Sequence, residues 1–385
     1  MVRPDYSGGG FLNLIASIAE ACGVSPRHPP LAALAPAELA EAANVVLLIL
    51  DGLGDRYLQA REPRGALGRS RRDVISAVFP STTAAAITTS YTGYAPIEHG
   101  LTGWFTYFGE AGCVAAPLPG RTRGEDLPLA SRGVALGRLF IAPPLLDALA
   151  WRPIVVTYAP IADSAYNRHH CGRAERRAYE DRAGLVAQIE AAVKSGTDRK
   201  FVYAYWPQFD TLAHRHGVAS AEALAEFAAI DAAFGELLAR LAGSDTIVVA
   251  TADHGFLDSG SAESLALEDG PGLSALLRFP LCGERRMAFC HVQPGREREF
   301  AARAHDWLGD KAEVRASREL AEDGWFGSGV PHPRLAERIG DVALVMNERY
   351  TVRDWTPGEK HHVHIGNHGG PSDEEMLVPL VVAKA

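Results

Sequence analysis

The chain has 385 residues, 47% of them hydrophobic and 22% charged, with a formal net charge of -9. That is the composition of a soluble globular protein, long enough for one large domain with an insertion or for two domains. The negative balance argues against nonspecific nucleic-acid binding, and no apolar stretch is long enough to suggest a membrane span.

Asp5 and Glu20 interrupt the N-terminal segment, so no signal peptide is read there. Cys22, Cys113, Cys171, Cys282 and Cys290 are widely spaced and include no C-x-x-C pair; they read as unpaired thiols in a reducing compartment. A cytoplasmic location is expected.

In chain order, the first strong signal is "NVVLLIL" at 44–50, a continuous apolar run that stops at Asp51-Gly52. Such a run suits a strand buried on both faces of a parallel sheet. Next comes "FPSTTAAAITTSYTGYAPIEHG" at 79–100, a threonine-rich helix start. Ser81 or Thr82 can serve as its N-cap, or one hydroxyl is displayed where free backbone N–H groups and the helix dipole favour an anion.

Further strands are expected in "RPIVVTYAP" around Val155, "KFVYAYWPQ" around Tyr203, "TIVVATADHG" around Val249 and "LVPLVVA" near the C-terminus. Helical patterns at 180–194 and 221–243 lie between them. The alternation predicts an α/β fold, a doubly wound and mostly parallel sheet flanked by helices. After about Leu265 the character changes. "ERRMAFCHV", "GREREFAARAHDWLG", "AEVRAS" and "IGDVALVMN" predict a small α/β cap insertion at 268–347, with 1–267 and 348–385 forming the core.

Loops at the C-terminal ends of parallel strands are where a site is expected. Asp51 ends the first strand. Asp210 and His214, four apart in "DTLAH", share one face of a helix. Asp253 and His254 end an apolar strand abruptly in "TADHG". His361, His362, His364 and His368 fall within "KHHVHIGNHGG", and His368 has the expected loop position just before the last strand; the other three read as supporting or surface residues. Two divalent ions need about six such ligands, with positions left open for substrate.

These motifs, "LLILDGLGD", "FPSTTA…TGYAPIEHGLTGW", "YWPQFDTLAHRHG", "TADHG" and "GNHGG", resemble in order and spacing the alkaline phosphatase superfamily. Its type I phosphodiesterase/nucleotide pyrophosphatase branch is the nearest match, and phosphonoacetate hydrolase is also similar. The resemblance spans 46–385 outside the insertion. It implies a nucleophile at the second hydroxyl position of P-[ST]-x-T, which is Thr83, and a phosphothreonine intermediate. It also implies one metal on Asp51, Thr83, Asp253 and His254 and another on Asp210, His214 and His368, the pair being zinc or, in some relatives, manganese.

The expected substrate is a small-molecule phosphodiester, nucleotide or pyrophosphate. The alternatives are phosphonate C–P hydrolysis and a catalytically inactive, metal-dependent nucleotide-binding module. Sulfatases are disfavoured by the absence of Cys/Ser-x-Pro-x-Arg, and cofactor-independent phosphoglycerate mutase by its serine nucleophile.

One departure concerns Trp104, which stands where the phosphodiesterases carry an asparagine against a phosphoryl oxygen. Trp104, Tyr107 and Tyr205 are candidate substrate contacts; Lys360, His291, Tyr158, His169 and Trp355 are further candidates for the pocket. No Arg or Lys occurs between Phe79 and Tyr107, which favours a diester over a monoester unless Arg121 or Arg123 folds back.

Overall fold

The five apolar runs lie side by side in one seven-stranded sheet. The structure, a computed structural model, describes residues 1–62, 64–359, 361 and 363–385. Across the sheet the order is Arg71–Ser76, Leu377–Lys384, Thr246–Thr251, Asn44–Leu50, Lys200–Trp206, Arg152–Tyr158 and Glu175–Tyr179. Every residue of the three central strands Asn44–Leu50, Lys200–Trp206 and Thr246–Thr251 is buried. This is why they read as unbroken apolar runs.

The two edge strands, "RRDVIS" and "ERRAY", are half exposed and carry charge, which protects an open edge from pairing with another chain. Neither stands out in the sequence for the same reason. Six strands are parallel and Leu377–Lys384 alone runs against both its neighbours. The start of this reversed strand therefore lies at the same edge of the sheet as the ends of the other six. Its preceding loop, which carries His368, is delivered to the loops that follow them.

A second sheet, antiparallel, orders Cys282–Gly283, Met287–Cys290, Val342–Met346 and Ala312–Ala316, with the helix Glu297–Leu308 packed on it. Its residues alternate in the pleat. Met287, Phe289, Ala343 and Val345 join the main core, while Ala288, Cys290, Val342 and Leu344 join a smaller apolar cluster with Phe300 and Leu308. The sheet is thus fastened to the main body through one whole face.

No disulfide links the five cysteines. Among the described residues, no helix is long and apolar enough to cross a membrane.

Candidate active site

Asp51 follows directly on the Asn44–Leu50 strand, and its N–H still donates to the Trp206 carbonyl at 3.0 Å. The chain then turns through Gly52 at φ +77°, where a Cβ would lie 2.4 Å from the Phe256 ring; only glycine fits. Gly52 donates its N–H to Asp253 Oδ1 at 3.0 Å, tying the first strand end to the one beside it. Asp253 and His254 are fully buried. Asp210 and His214 stand one turn apart on the helix Gln208–His216, with His214 Nε2 3.4 Å from Asp210 Oδ1.

Three imidazoles are oriented alike. His254 Nδ1 lies 3.1 Å from the Gly255 carbonyl, His214 Nδ1 2.9 Å from that of Gly366, and His368 Nδ1 3.0 Å from that of Ser81. A carbonyl can only accept, so each ring carries its proton on Nδ1 and presents the Nε2 lone pair inward. This is the orientation a metal-ligating imidazole takes. His214 and His368 bring their Nε2 atoms to 3.2 Å, and His254 stacks on His368 with ring centroids 3.8 Å apart.

Thr83 opens the helix Thr83–Thr92, with Thr82 as N-cap and no side-chain hydrogen bond closing the first turn. Its Oγ1 lies 3.1 Å from His254 Nε2 and 3.5 Å from Asp51 Oδ1. Thr82 turns away from the helix and donates its hydroxyl to Glu284 Oε1. Glu284 belongs to the hairpin between Cys282–Gly283 and Met287–Cys290, and it also accepts the backbone N–H of Trp104. Nothing in its local sequence, "CGERRM", marks it as part of a site.

The electrostatics of the cluster fit two divalent cations. Burial, then the neighbouring carboxylates, pushes Asp51 and Asp210 well above the ordinary carboxylate range. Burial, then His254 and His214, holds His368 well below the ordinary imidazole value. Asp210 Oδ1 and Asp253 Oδ2 are buried without a hydrogen-bond partner. Two groups of donor atoms lie within 4.8 Å of one another: Asp51, Asp253 and His254, and Asp210, His254 and His368. His254 is thus within reach of both, although the resemblance assigns it to the first alone; His214 approaches the second through His368 and Asp210. Mixed carboxylate and imidazole donors suit zinc and manganese alike.

Thr83, Asp210, His214 and His368 open into a cavity of about 610 Å³ whose wall includes Trp104, Phe105 and Trp355. The expectation that Tyr107 and Tyr205 face substrate is corrected here. Tyr107 stacks on Phe279 at 4.2 Å, and the Tyr205 hydroxyl donates to Asp51 Oδ2, so neither lines the cavity. Tyr158, His169 and His291 do not line it either, whereas His364 does, its ring 4.3 Å from that of His214. His361 stacks on Trp355 at 4.4 Å. Lys360 and His362 lie outside the described residues. Arg121 pairs with Asp126 at the surface, while Arg123 does reach into the cavity wall.

A family described as type I phosphodiesterase / nucleotide pyrophosphatase matches residues 141–371. No curated protein sequence matches the chain. Among solved structures, murine ectonucleotide pyrophosphatase / phosphodiesterase 5 superposes with a TM-score of 0.67 at 15% identity, covering 87% of each chain. The human protein of that name gives 0.67 at 16% identity, over 88% of this chain and 87% of its own. Phosphonoacetate hydrolase from Sinorhizobium meliloti 1021, in complex with phosphonoacetate, gives 0.61 at 19% identity, over 88% of this chain and 89% of its own. At these identities the likeness is one of fold, the alkaline-phosphatase-like α/β architecture.

Proposed function

Because the chain belongs to the type I phosphodiesterase / nucleotide pyrophosphatase family, we propose that it is a two-metal phosphodiesterase acting on a nucleotide-type diester or anhydride through a phosphothreonine at Thr83. The observation that carries this proposal is the place of one hydroxyl. Thr83 Oγ1 is 3.1 Å from His254 Nε2 and 3.5 Å from Asp51 Oδ1, beside the donor group of Asp51, Asp253 and His254 and at the open end of a helix.

Asp51, Thr83, Asp253 and His254 would hold one ion, zinc or manganese, and Asp210, His214 and His368 the other. When bound, such ions would supply Lewis-acid charge stabilisation for the displacement. The chain's own groups do the rest. Thr83 Oγ1 bonds to phosphorus as the bond to the leaving oxygen breaks, and water then cleaves the phosphothreonine and restores the hydroxyl. Backbone N–H groups of the uncapped first helical turn face a nonbridging oxygen. Trp104, at the cavity wall, offers a flat apolar surface to a base or aryl group. The segment 268–347 acts as a cap that selects the leaving group, and the unpaired cysteines support a reducing, cytoplasmic setting.

Phosphonate C–P hydrolysis is the second reading, favoured by arginines in the cavity wall. An inactive nucleotide-binding module is disfavoured by the complete donor set with Thr83 beside it. Turnover of an aryl phosphodiester by metal-loaded protein, compared among wild type, Thr83→Ala and Thr82→Ala, tests the assignment. Thr83→Ala is expected to lose on the order of 10³-fold or more in kcat. Near wild-type rates in Thr83→Ala, with loss in Thr82→Ala, would overturn the assignment and move the nucleophile to Thr82.

A further inference from the structure

A second cavity, of about 430 Å³, lies apart from the one that holds Thr83, and the two share no lining residue. Three parts of the chain build its wall. Glu110 comes from the turn after the strand Thr106–Phe108, and Val134, Arg138 and Ile141 from the segment that precedes the Arg152–Tyr158 strand. His332 and Arg334 come from the approach to the helix Leu335–Ile339.

Two buried atoms of this wall lack a partner, and they are complementary. His332, 4% exposed, accepts the Arg334 N–H on Nδ1 at 3.1 Å, so its neutral ring carries the proton on Nε2. Burial, then the charges of Arg338 and Arg334, push His332 down to about 4, which keeps the ring neutral at ordinary pH. Its Nε2–H has no acceptor among the described residues. Glu110 supplies the converse. Its Oε1 meets Arg338 Nη2 at 3.3 Å and Arg334 Nε at 3.5 Å, while Oε2 is buried and accepts nothing among the described residues. A hydroxyl group both accepts and donates, so a ligand that carries several answers both needs.

The charges of the wall leave one cation over. Arg338 is matched by Glu110, and Arg334 by Glu337 at 2.7 Å. Arg138, exposed at the rim, forms no ion pair among the described residues. A guanidinium so placed suits a phosphate. Next to it Ile141 is 49% exposed and Val134 half-buried, which gives the rim an apolar flank. The wall is also fixed in place. Arg338, buried, donates to the carbonyls of Leu139 at 2.9 Å and Gly100 at 3.2 Å, and the His332 N–H donates to that of Ile97 at 2.7 Å. A single water occupies about 30 Å³, so this volume exceeds what a bridging water needs and falls in the range of small-ligand pockets.

We propose that the second cavity binds a sugar phosphate, free or as part of a nucleotide, with the phosphate on Arg138 and sugar hydroxyls toward Glu110 and His332. The site is separate from the reaction at Thr83 and does not depend on it.

Calorimetric titration of ribose 5-phosphate into chelator-treated protein tests this, with propyl phosphate as the anion without hydroxyls and ribose as the sugar without charge. Ribose 5-phosphate is expected to bind at least about 10-fold more tightly than either. Arg138→Met, a change at the exposed rim, should weaken it by about 10- to 100-fold, and Arg138→Lys should recover part of that loss. Asp210→Asn, in the catalytic cavity, should leave it unchanged. AMP is scored by the part of its binding that Arg138→Met removes. If that part is tighter than for ribose 5-phosphate, the ligand is a nucleotide with its base on Ile141; if equal or weaker, it is the free sugar phosphate. Absence of binding at millimolar ligand overturns the site. So does binding that Asp210→Asn abolishes and Arg138→Met leaves untouched, or propyl phosphate binding as tightly as ribose 5-phosphate.

Discussion

Glu284 accepts the backbone N–H of Trp104 at 2.7 Å across 180 positions of sequence. The same oxygen takes the hydroxyl of Thr82, so a carboxylate is fixed beside the turn that precedes Thr83. Burial pushes Glu284 up to about 7.

The raised value gives a signed prediction. In metal-free protein, the folded state keeps a proton on Glu284 that the unfolded chain loses near its ordinary value of 4.5. This stabilisation is complete below 4.5 and is lost as pH rises through about 7. Glu284→Gln lacks it. The stability of wild type relative to the variant should therefore fall by roughly 1 to 3 kcal/mol across that interval, read from denaturant midpoints in chelator. With metal and an anionic diester, the variant-to-wild-type ratio of kcat/KM should also rise with pH, since only wild type acquires a charge that repels the phosphoryl group. The range is shifted below the metal-free one because neighbouring cations favour the carboxylate. A ratio independent of pH would remove Glu284 from the substrate's neighbourhood.

Chelation should abolish turnover, with zinc or manganese restoring it and elemental analysis approaching two ions per chain. His368→Ala should bring the bound stoichiometry close to one, since it removes an Nε2 that faces Asp210 and His214. His364→Ala, at the cavity wall, should leave both ions in place. The reverse order of effects would relocate the C-terminal ligand.

The Tyr205 hydroxyl donates to Asp51 Oδ2, so its expected effect is on the carboxylate that would hold metal. Tyr205→Phe is expected to weaken metal binding by about 10- to 100-fold while KM for a diester, at saturating metal, changes little. A large KM effect at full metal occupancy would return Tyr205 to the substrate pocket.

A monoester dianion needs an extra cation near its nonbridging oxygens. Arg123, which reaches the cavity wall, is held by Asp354 and Glu359. An aryl diester should therefore show a higher kcat/KM than the matching aryl monoester under one metal condition, and Trp104→Ala should weaken nucleotide diesters through loss of a stacking surface worth about 1 kcal/mol. A clear monoester preference would contradict the diester assignment.

The main sheet and the acid and imidazole cluster were legible in the sequence because their signals are local. An unbroken apolar run that stops at Asp51, or at Asp253-His254, states both burial and chain end. Direction is not local: "LVPLVVA" has the same composition in a parallel or antiparallel strand, and only the pairing of Val381 with Ala250 reveals the reversal. The half-exposed edges "RRDVIS" and "ERRAY" carry too little apolar signal to be seen. Glu284 and Arg285 were invisible for a third reason. Their placement comes from a hairpin docked against the Thr82–Thr83 turn and the Thr351–Arg353 strand, a relationship held in tertiary contacts and absent from "CGERRM" itself.

The three imidazoles are aimed by main-chain carbonyls of Gly255, Gly366 and Ser81. Main-chain oxygens are present whatever side chain a position carries, so the aim of these rings does not depend on any neighbouring residue's identity. Sequence can diverge widely around such a centre without misdirecting it, and this chain keeps the fold of the murine protein at 15% identity. Selectivity is then free to evolve on the wall, in residues such as Trp104, while the reactive centre stays as it was. For protein engineers, that separates the positions to randomise from those to leave alone.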